Sequence, residues 1–216
     1  MSAAPASNSA ANRGHRAAAG EGERLRTQLL DAAERLLGQK GSVDAVSLRQ
    51  VAAEVGVTAT SVYLHFQDKN DLIIGVCSRR FQALRQIILQ ARDQHDTPIE
   101  QIRACGAAYV RFGLAWPVEY LVLFGAIPLE IVMERVPLEE QVGSQVLQEM
   151  ADLVQRGIAA GDLRPVDPMT TALSLWAVTH GLVGALTIGH DKPEVSLEDL
   201  VDQTLDLVLY GLVLPE

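Results

Sequence analysis

Residues 47–66 constrain the fold of this 216-residue chain more than any other segment. Two short helical patterns meet at Gly56, a residue that permits a tight turn. Ser47 and Thr58 stand where the N-caps of the two helices belong. Ala52 is small enough for the helices to cross closely, and this spacing predicts a helix-turn-helix unit. Valines supply its inner face: Val51, Val55, Val57 and Val62.

The second helix of such a unit enters the major groove of DNA with its N-terminal residues toward the base edges. The second helix here carries short or hydrogen-bonding side chains and no carboxylate, which phosphate would repel. The unit therefore predicts binding to double-stranded DNA. A helical module that binds only proteins stays open, because other helical hairpins share this spacing. The side chains exposed by the pattern are Thr58, Ala59, Thr60, Ser61, Tyr63 and His65.

The distribution of charge bears on this prediction. A net charge of −9 and a pI of about 5.0 would argue against a nucleic-acid partner if the charge were evenly spread. Residues 1–80 carry ten Lys and Arg against eight Asp and Glu, whereas residues 81–216 carry eight against nineteen. Only the N-terminal third can therefore face phosphate without strong repulsion.

The rest of the sequence predicts helices and no strand. Helical periodicity starts at about Glu23, and a long fourth helix opens at Lys69. Prolines and glycines separate the later helices. The predicted fold class is all-α, with a three-helix helix-turn-helix DNA-binding domain over 23–68 and a helical effector-binding and dimerisation domain over 69–216.

Residues 1–22 are rich in Ala, Ser, Asn and Gly, with few side chains that could be buried. This composition predicts a disordered tail. The alternative is a basic arm that touches DNA, since the segment contains Arg13, His15 and Arg16.

Three stretches within residues 24–75 resemble the TetR family of transcriptional regulators. They are Leu29-Leu30-Asp31-Ala32-Ala33 through Leu36-Leu37, the helix-turn-helix itself, and Val62-Tyr63-Leu64-His65-Phe66-Gln67-Asp68-Lys69-Asn70-Asp71-Leu72. The connection over 41–47 departs from the family pattern, because it looks one residue longer than is common.

The resemblance implies roles at matching positions. Arg49 is implied to reach a base or a phosphate. Ser47 and Thr58 are implied to hydrogen-bond phosphate from helix N-termini. Thr60 and Ser61 would face base edges. The residues implied to clamp the DNA backbone are Tyr63, His65 and Lys69.

The segment Trp176-Ala177-Val178-Thr179-His180-Gly181 resembles the Trp-x-x-x-His-Gly signature of one C-terminal subtype of the family. The resemblance implies that this region binds an effector and dimerises. Ala177, Gly181 and Ala185 recur four residues apart, so another helix can approach closely. Together with the final helix they predict a four-helix dimer seam. The final helix contributes Leu200, Leu205 and Val208 to it.

The aromatic residues of the C-terminal region are candidates for an apolar ligand cavity. Plain core packing is an equal alternative. His180, on the same helical face as Trp176, is interpreted as a histidine held by a hydrogen bond rather than as a metal ligand. The predicted pocket consists of Tyr109, Phe112, Trp116, Tyr120, Phe124, Trp176 and His180.

Other classes of protein are disfavoured. No catalytic constellation, phosphate loop or cofactor motif is present, so we expect no enzyme, no cofactor and no metal site. The only two cysteines are far apart, which fits a reducing cytoplasm. Residues 1–22 lack the apolar run of a secretory signal. Residues 168–190 are uncharged and long enough to span a membrane, but their threonines, glycines and His180 favour a buried helix.

The sequence as a whole predicts a cytoplasmic, homodimeric transcriptional regulator, foremost a repressor. It is expected to bind a palindromic operator and to be released by a small apolar or aromatic effector. The alternatives are an all-helical interaction module, an enzyme built around Trp176 and His180, and a membrane protein.

Overall fold

A computed structural model describes residues 9–117, 120, 124–125, 127–137, 140–187 and 196–212. Within this part the chain forms nine α-helices and no β-strand, which confirms the all-α fold class. The first eight residues of the predicted tail lie outside the described residues. The helices are α1 (Ser9–Lys40), α2 (Leu48–Val55), α3 (Ala59–Tyr63), α4 (Lys69–Arg92), α5 (Pro98–Ala115), α6 (Leu129–Arg135), α7 (Val142–Ala160), α8 (Pro168–Thr187) and α9 (Leu197–Tyr210).

The first helix begins earlier than the sequence predicted. It starts at Ser9 rather than at Glu23, so residues 9–22 are helical where a disordered tail was expected. Alanine has the highest intrinsic helix propensity, and five alanines lie between positions 9 and 19. The expectation of disorder rested on the shortage of side chains that could be buried, and it did not take the helix propensity of these alanines into account.

The chain divides into two compact units, Met1–Val76 and Cys77–Glu216. The division falls inside α4, whereas the sequence placed it at the start of that helix, Lys69. In the N-terminal unit, α1, α2 and α3 pack around buried apolar side chains. Gly56 ends α2 in the left-handed conformation at φ 80°, as the tight turn requires. The core includes Leu29, Val51, Val62, Phe66 and Leu72.

The C-terminal unit is built around α5, which packs against α7, α8 and α9. Its core includes Leu84, Ile102, Val110, Leu153 and Val183. By length and composition, α8 could cross a membrane, a property it shares with core helices of soluble proteins. It packs against α5 and α7 with one face, and the opposite face is exposed.

Close packing at Gly113 gives a stability prediction. A Cβ atom placed there would lie 2.5 Å from a Val183 side-chain atom and 3.0 Å from Tyr120. Gly113→Ala is therefore expected to lower the free energy of unfolding by about 1–3 kcal/mol. Gly38→Ala is the matched control, because an added Cβ in α1 meets nothing within 4 Å and should stabilise by about 0.5–1 kcal/mol. Urea unfolding of both variants checks the prediction, and equal effects would contradict it.

Candidate functional site

The caps of α2 and α3 engage three of the predicted DNA-binding residues. Ser47 Oγ accepts a bond from the backbone N–H of Gln50 at 3.3 Å, and the Gln50 side-chain oxygen accepts one from Ser47 N at 3.0 Å. Thr58 Oγ1 accepts from Ser61 N at 3.2 Å, and the two hydroxyls lie 2.9 Å apart. One hydroxyl donates to the other, so the Thr58–Ser61 pair keeps one proton to offer outward. The caps thus fix the start of both helices.

Exposure separates this set from the core. None of the nine predicted DNA-binding residues is buried. Tyr63 is 58% exposed although it is a large aromatic residue. The exposed members are Ser47, Arg49, Thr58, Thr60 and Tyr63, and the half-buried ones are Ala59, Ser61, His65 and Lys69.

Lys69 is the first residue of α4, and its ammonium lies 4.0 Å from the Asp44 carboxylate. The Asp44 side chain is fully exposed, and such surface pairs contribute little free energy. The cation also faces the positive end of the helix dipole. Asp44 therefore holds Lys69 only weakly, and an external anion can replace it.

Two exposed residues of this unit were missed by the sequence reasoning. Leu64 follows α3 and is 81% exposed, and Gln50 is exposed beside Arg49. Leu64 lies outside the set of valines predicted for the inner face of the helix-turn-helix, and this position could have identified Leu64 as an exposed residue. An exposed apolar side chain on such a surface can contact a thymine methyl group.

The C-terminal unit contains a cavity of about 230 Å³ bordered by α4, α5, α7, α8 and α9. Of the predicted pocket residues, Tyr109, Phe124 and Trp176 line it. Phe112 and Trp116 do not, because they border a separate open groove beside Arg111. Sequence reasoning missed the contributions of α4 and α7, which include Phe81, Leu84, Ser144, Leu147 and Met150.

The described cavity walls contain no Asp, Glu, Lys or Arg. Cys105 also lines the cavity, and burial raises the pKa of its thiol to about 12, so the thiol stays neutral at physiological pH. The cavity therefore suits an uncharged ligand, or the uncharged part of a larger one.

Tyr120 and His180, the other two predicted pocket residues, are held by hydrogen bonds. The Tyr109 hydroxyl lies 3.2 Å from the Tyr120 hydroxyl and 3.1 Å from His180 Nδ1, and Tyr120 also bonds to this nitrogen. The His180 ring stacks on Trp176 at 4.9 Å. Burial raises the pKa of Tyr109, raises that of Tyr120 to about 12, and lowers the pKa of His180. All three side chains are thus neutral at physiological pH.

The lowered pKa of His180 predicts a pH-dependent stability. Below about pH 6.5, the ordinary histidine pKa, the unfolded chain binds a proton that the native imidazole resists. The free energy of unfolding should therefore fall as pH drops from 7.5 toward the lower native pKa, and His180→Gln should reduce this fall. Urea unfolding monitored by tryptophan fluorescence measures it, since both tryptophans lie in the C-terminal unit. Identical pH profiles for the two proteins would contradict the prediction.

The predicted dimer seam is partly exposed. Ala177, Gly181 and Ala185 face outward on α8, and a Cβ added at Gly181 meets nothing within 4 Å. On α9, Leu200 and Val208 are half-buried. Leu205 is only 2% exposed, because it packs into the core of its own unit beside Gly106.

Two other large apolar residues of α9 face outward, as Leu205 was expected to do. Leu207 is 80% exposed and Tyr210 is 88% exposed. They lie three residues apart on one helical face. Leu205 therefore belongs to the core of its own unit, and the dimer seam itself stays a prediction.

Both units match families of known proteins. Residues 29–76 match the tetR family of bacterial regulatory proteins, and residues 102–208 match the tetracyclin repressor-like C-terminal domain. The chain therefore has a helix-turn-helix regulator architecture. It belongs to the TetR family, which consists of transcriptional regulators and not of enzymes. The Trp-x-x-x-His-Gly subtype stays a prediction.

Individual proteins agree with this membership. An uncharacterized HTH-type transcriptional regulator of Haemophilus influenzae is 39% identical over 74 residues, 34% of this chain and 36% of that protein. The match thus spans about a third of that relative. A structure of a Rhodococcus sp. RHA1 protein with unknown function is 26% identical, with a TM-score of 0.74 over 88% of this chain and 96% of that one. SmeT, the repressor of the Stenotrophomonas maltophilia multidrug efflux pump SmeDEF, is 25% identical, with a TM-score of 0.62 over 88% and 90%.

Proposed function

We propose that this protein is a cytoplasmic, homodimeric transcriptional repressor that binds a palindromic operator and releases it when a small apolar or aromatic effector binds. The observation that carries the proposal is the surface of the N-terminal unit. Capped helices present nine surface residues at the positions expected for DNA contact, and none is acidic. Family membership supports this interpretation of the surface.

The proposed division of labour follows the chemistry of each side chain. Tyr63, His65 and Lys69 contact phosphates, and Arg49 contacts a base or a phosphate. Thr60 and Ser61 face base edges, with Ala59 close to them. Ser47 and Thr58 combine helix capping with phosphate contact, and Leu64 joins the interface as an apolar contact.

Dimerisation through α8 and α9 is proposed because small and apolar side chains on their outer surfaces stay exposed within the described part of the chain. Ala177, Gly181 and Ala185 permit close approach of a second α8, while Leu207 and Tyr210 offer apolar area to bury. A two-fold dimer presents two reading helices, so the operator should repeat its half-site about one helical turn apart.

The cavity provides the effector site. An effector changes DNA affinity only if it binds the operator-bound and operator-free states differently. We place the effector in the cavity walled by Tyr109, Phe124 and Trp176, which α4 also borders. Helix α4 begins at Lys69 in the N-terminal unit and runs to Arg92. It is therefore the proposed connection between the effector and the DNA-binding residues. SmeT, the 25% identical protein, is a repressor, and this similarity supports repression over activation.

A salt titration tests the proposal. Binding to a nonspecific duplex should weaken linearly on a plot of log affinity against log salt, because counterions are released from phosphates. The measurement uses the full chain and fluorescence anisotropy of a labelled duplex. No binding at low salt, or binding independent of salt, would contradict the proposal and favour a module that binds only proteins.

A further inference from the structure

The polar side chains around the cavity are few, and their hydrogen bonds decide what a ligand can use. Six described lining residues carry a polar side-chain hydrogen: Cys105, Tyr109, Gln141, Ser144, Trp176 and Thr179. An apolar wall makes each of these groups important, because a ligand's polar group costs free energy there unless it finds a partner.

Five of the six already make a hydrogen bond within the protein. The Thr179 hydroxyl points to the carbonyl oxygens of Leu175 and Trp176, each at 3.0 Å, within its own helix. The Gln141 amide nitrogen donates to the Val136 carbonyl at 2.9 Å. Cys105 Sγ is directed at the Ile88 carbonyl at 3.8 Å. The Tyr109 hydroxyl belongs to the cluster with Tyr120 and His180, and it also accepts a hydrogen bond from the Trp176 indole N–H.

Ser144 differs from these five. It lies in the first turn of α7, is half-buried, and lines the cavity. Its hydroxyl has no hydrogen-bond partner among the residues that the structure describes. A free hydroxyl can both donate and accept, so it can pair with an alcohol, a carbonyl or an ether oxygen.

The volume limits ligand size. A cavity of about 150 Å³ in another protein holds benzene. In proportion, the 230 Å³ found here holds about ten non-hydrogen atoms. The aromatic side chains of Phe81, Phe124 and Trp176 in the wall suit a ring.

We propose that the cavity binds an uncharged, largely apolar compound of about ten non-hydrogen atoms, with an aromatic or alicyclic ring and one hydrogen-bonding oxygen that pairs with Ser144. Ser144 is the specificity-determining residue, selecting ligands that carry this oxygen over equally shaped hydrocarbons. This inference rests on the proposed function, because it defines the class of effector for that same site.

Two isosteric probes test it: 3-phenylpropan-1-ol and butylbenzene, which differ only by a hydroxyl in place of a methyl group. Binding is measured without DNA, by tryptophan fluorescence excited at the red edge of indole absorption. A Trp116→Phe background leaves Trp176, in the cavity wall, as the single tryptophan. Ser144→Ala is the test variant. Thr179→Val is the matched control, since it removes a lining hydroxyl that is engaged within its own helix.

Ser144→Ala should weaken 3-phenylpropan-1-ol binding about tenfold and leave butylbenzene binding unchanged. Thr179→Val should not discriminate between the two probes. Equal losses for both probes in Ser144→Ala, an equally selective loss in Thr179→Val, or no response of Trp176 to either probe would overturn the inference. Because DNA is absent, these failures are distinct from failure of the salt titration, which tests the proposed regulator itself.

Discussion

Gly181→Arg is expected to convert the dimer into monomers and to weaken operator binding by about a hundredfold or more. Gly181 lies on the exposed face of α8, and a Cβ atom added there meets nothing within 4 Å. Arginine is therefore compatible with a folded monomer. In the proposed seam it would place a bulky charge between two closely packed helices, where burial without a partner is costly. A monomer engages one half-site at a time and loses the advantage of linked binding.

Gln155→Arg is the matched control for Gly181→Arg. Gln155 is exposed on α7, outside the proposed seam, and the substitution adds the same charge. Sedimentation velocity gives the oligomeric state, and anisotropy titration gives the affinity for the operator. A Gly181→Arg protein that stays dimeric and binds the operator normally would show that the seam lies elsewhere.

Lys69→Ala is the second change with a large expected effect. Loss of one phosphate contact in each of two subunits should reduce the slope of log affinity against log salt by about 2. Binding at low salt should weaken at least tenfold, and equally for operator and unrelated duplexes, because phosphates carry no sequence information. The ion pair between Lys69 and Asp44 is weak, at 4.0 Å, so removing the Lys69 side chain should have little effect on the stability of the fold.

Lys40→Ala controls for the loss of one positive charge from the same unit. The Lys40 ammonium donates to the Ala45 carbonyl at 2.8 Å and is not among the predicted DNA contacts. The salt slopes of the two variants are measured on the same labelled duplexes. If Lys69→Ala keeps the wild-type slope, or if Lys40→Ala lowers it as much, the role assigned to Lys69 is wrong.

The N-terminal unit was the most predictable part of the fold, because its signals are local. Gly56 adopts the conformation expected from its place in the turn, and Val51 and Val62 are buried as the periodicity predicted. Val55 and Val57 are only half-buried, since the short unit has too few neighbours to cover them. Capping of α2 by Ser47 likewise followed from the residue type and its position.

The C-terminal unit was less predictable, because its features depend on which helices meet. Periodicity placed Leu205 on an apolar face but could not show that this face belongs to the core of its own unit. Leu207 and Tyr210 place two large apolar side chains on the opposite face, so periodicity alone does not assign that face to solvent. The pattern therefore left the orientation of α9 undetermined.

The same reason limited the prediction of the cavity. Tyr109 and Phe112 lie three residues apart on α5, a spacing that places both near the same helical face. Tyr109 nevertheless lines the cavity, whereas Phe112 borders a separate groove. Phe81 and Ser144 enter the wall from helices far apart in sequence. No local signal in the sequence brings them together, and only tertiary packing shows that Ser144 belongs to the site.

Selection from a random duplex library with the full-length protein tests the central claim most directly. The bound duplexes are sequenced after several rounds, without any assumption about the operator. The account predicts an enriched palindrome whose half-sites are centred about one helical turn apart, with Thr60 and Ser61 variants shifting the preferred bases. Enrichment of a single unrepeated half-site would contradict the dimer. If no sequence is enriched, the selection is repeated with cell extract, which supplies small-molecule ligands. Absence of enrichment in both selections would contradict sequence-specific regulation.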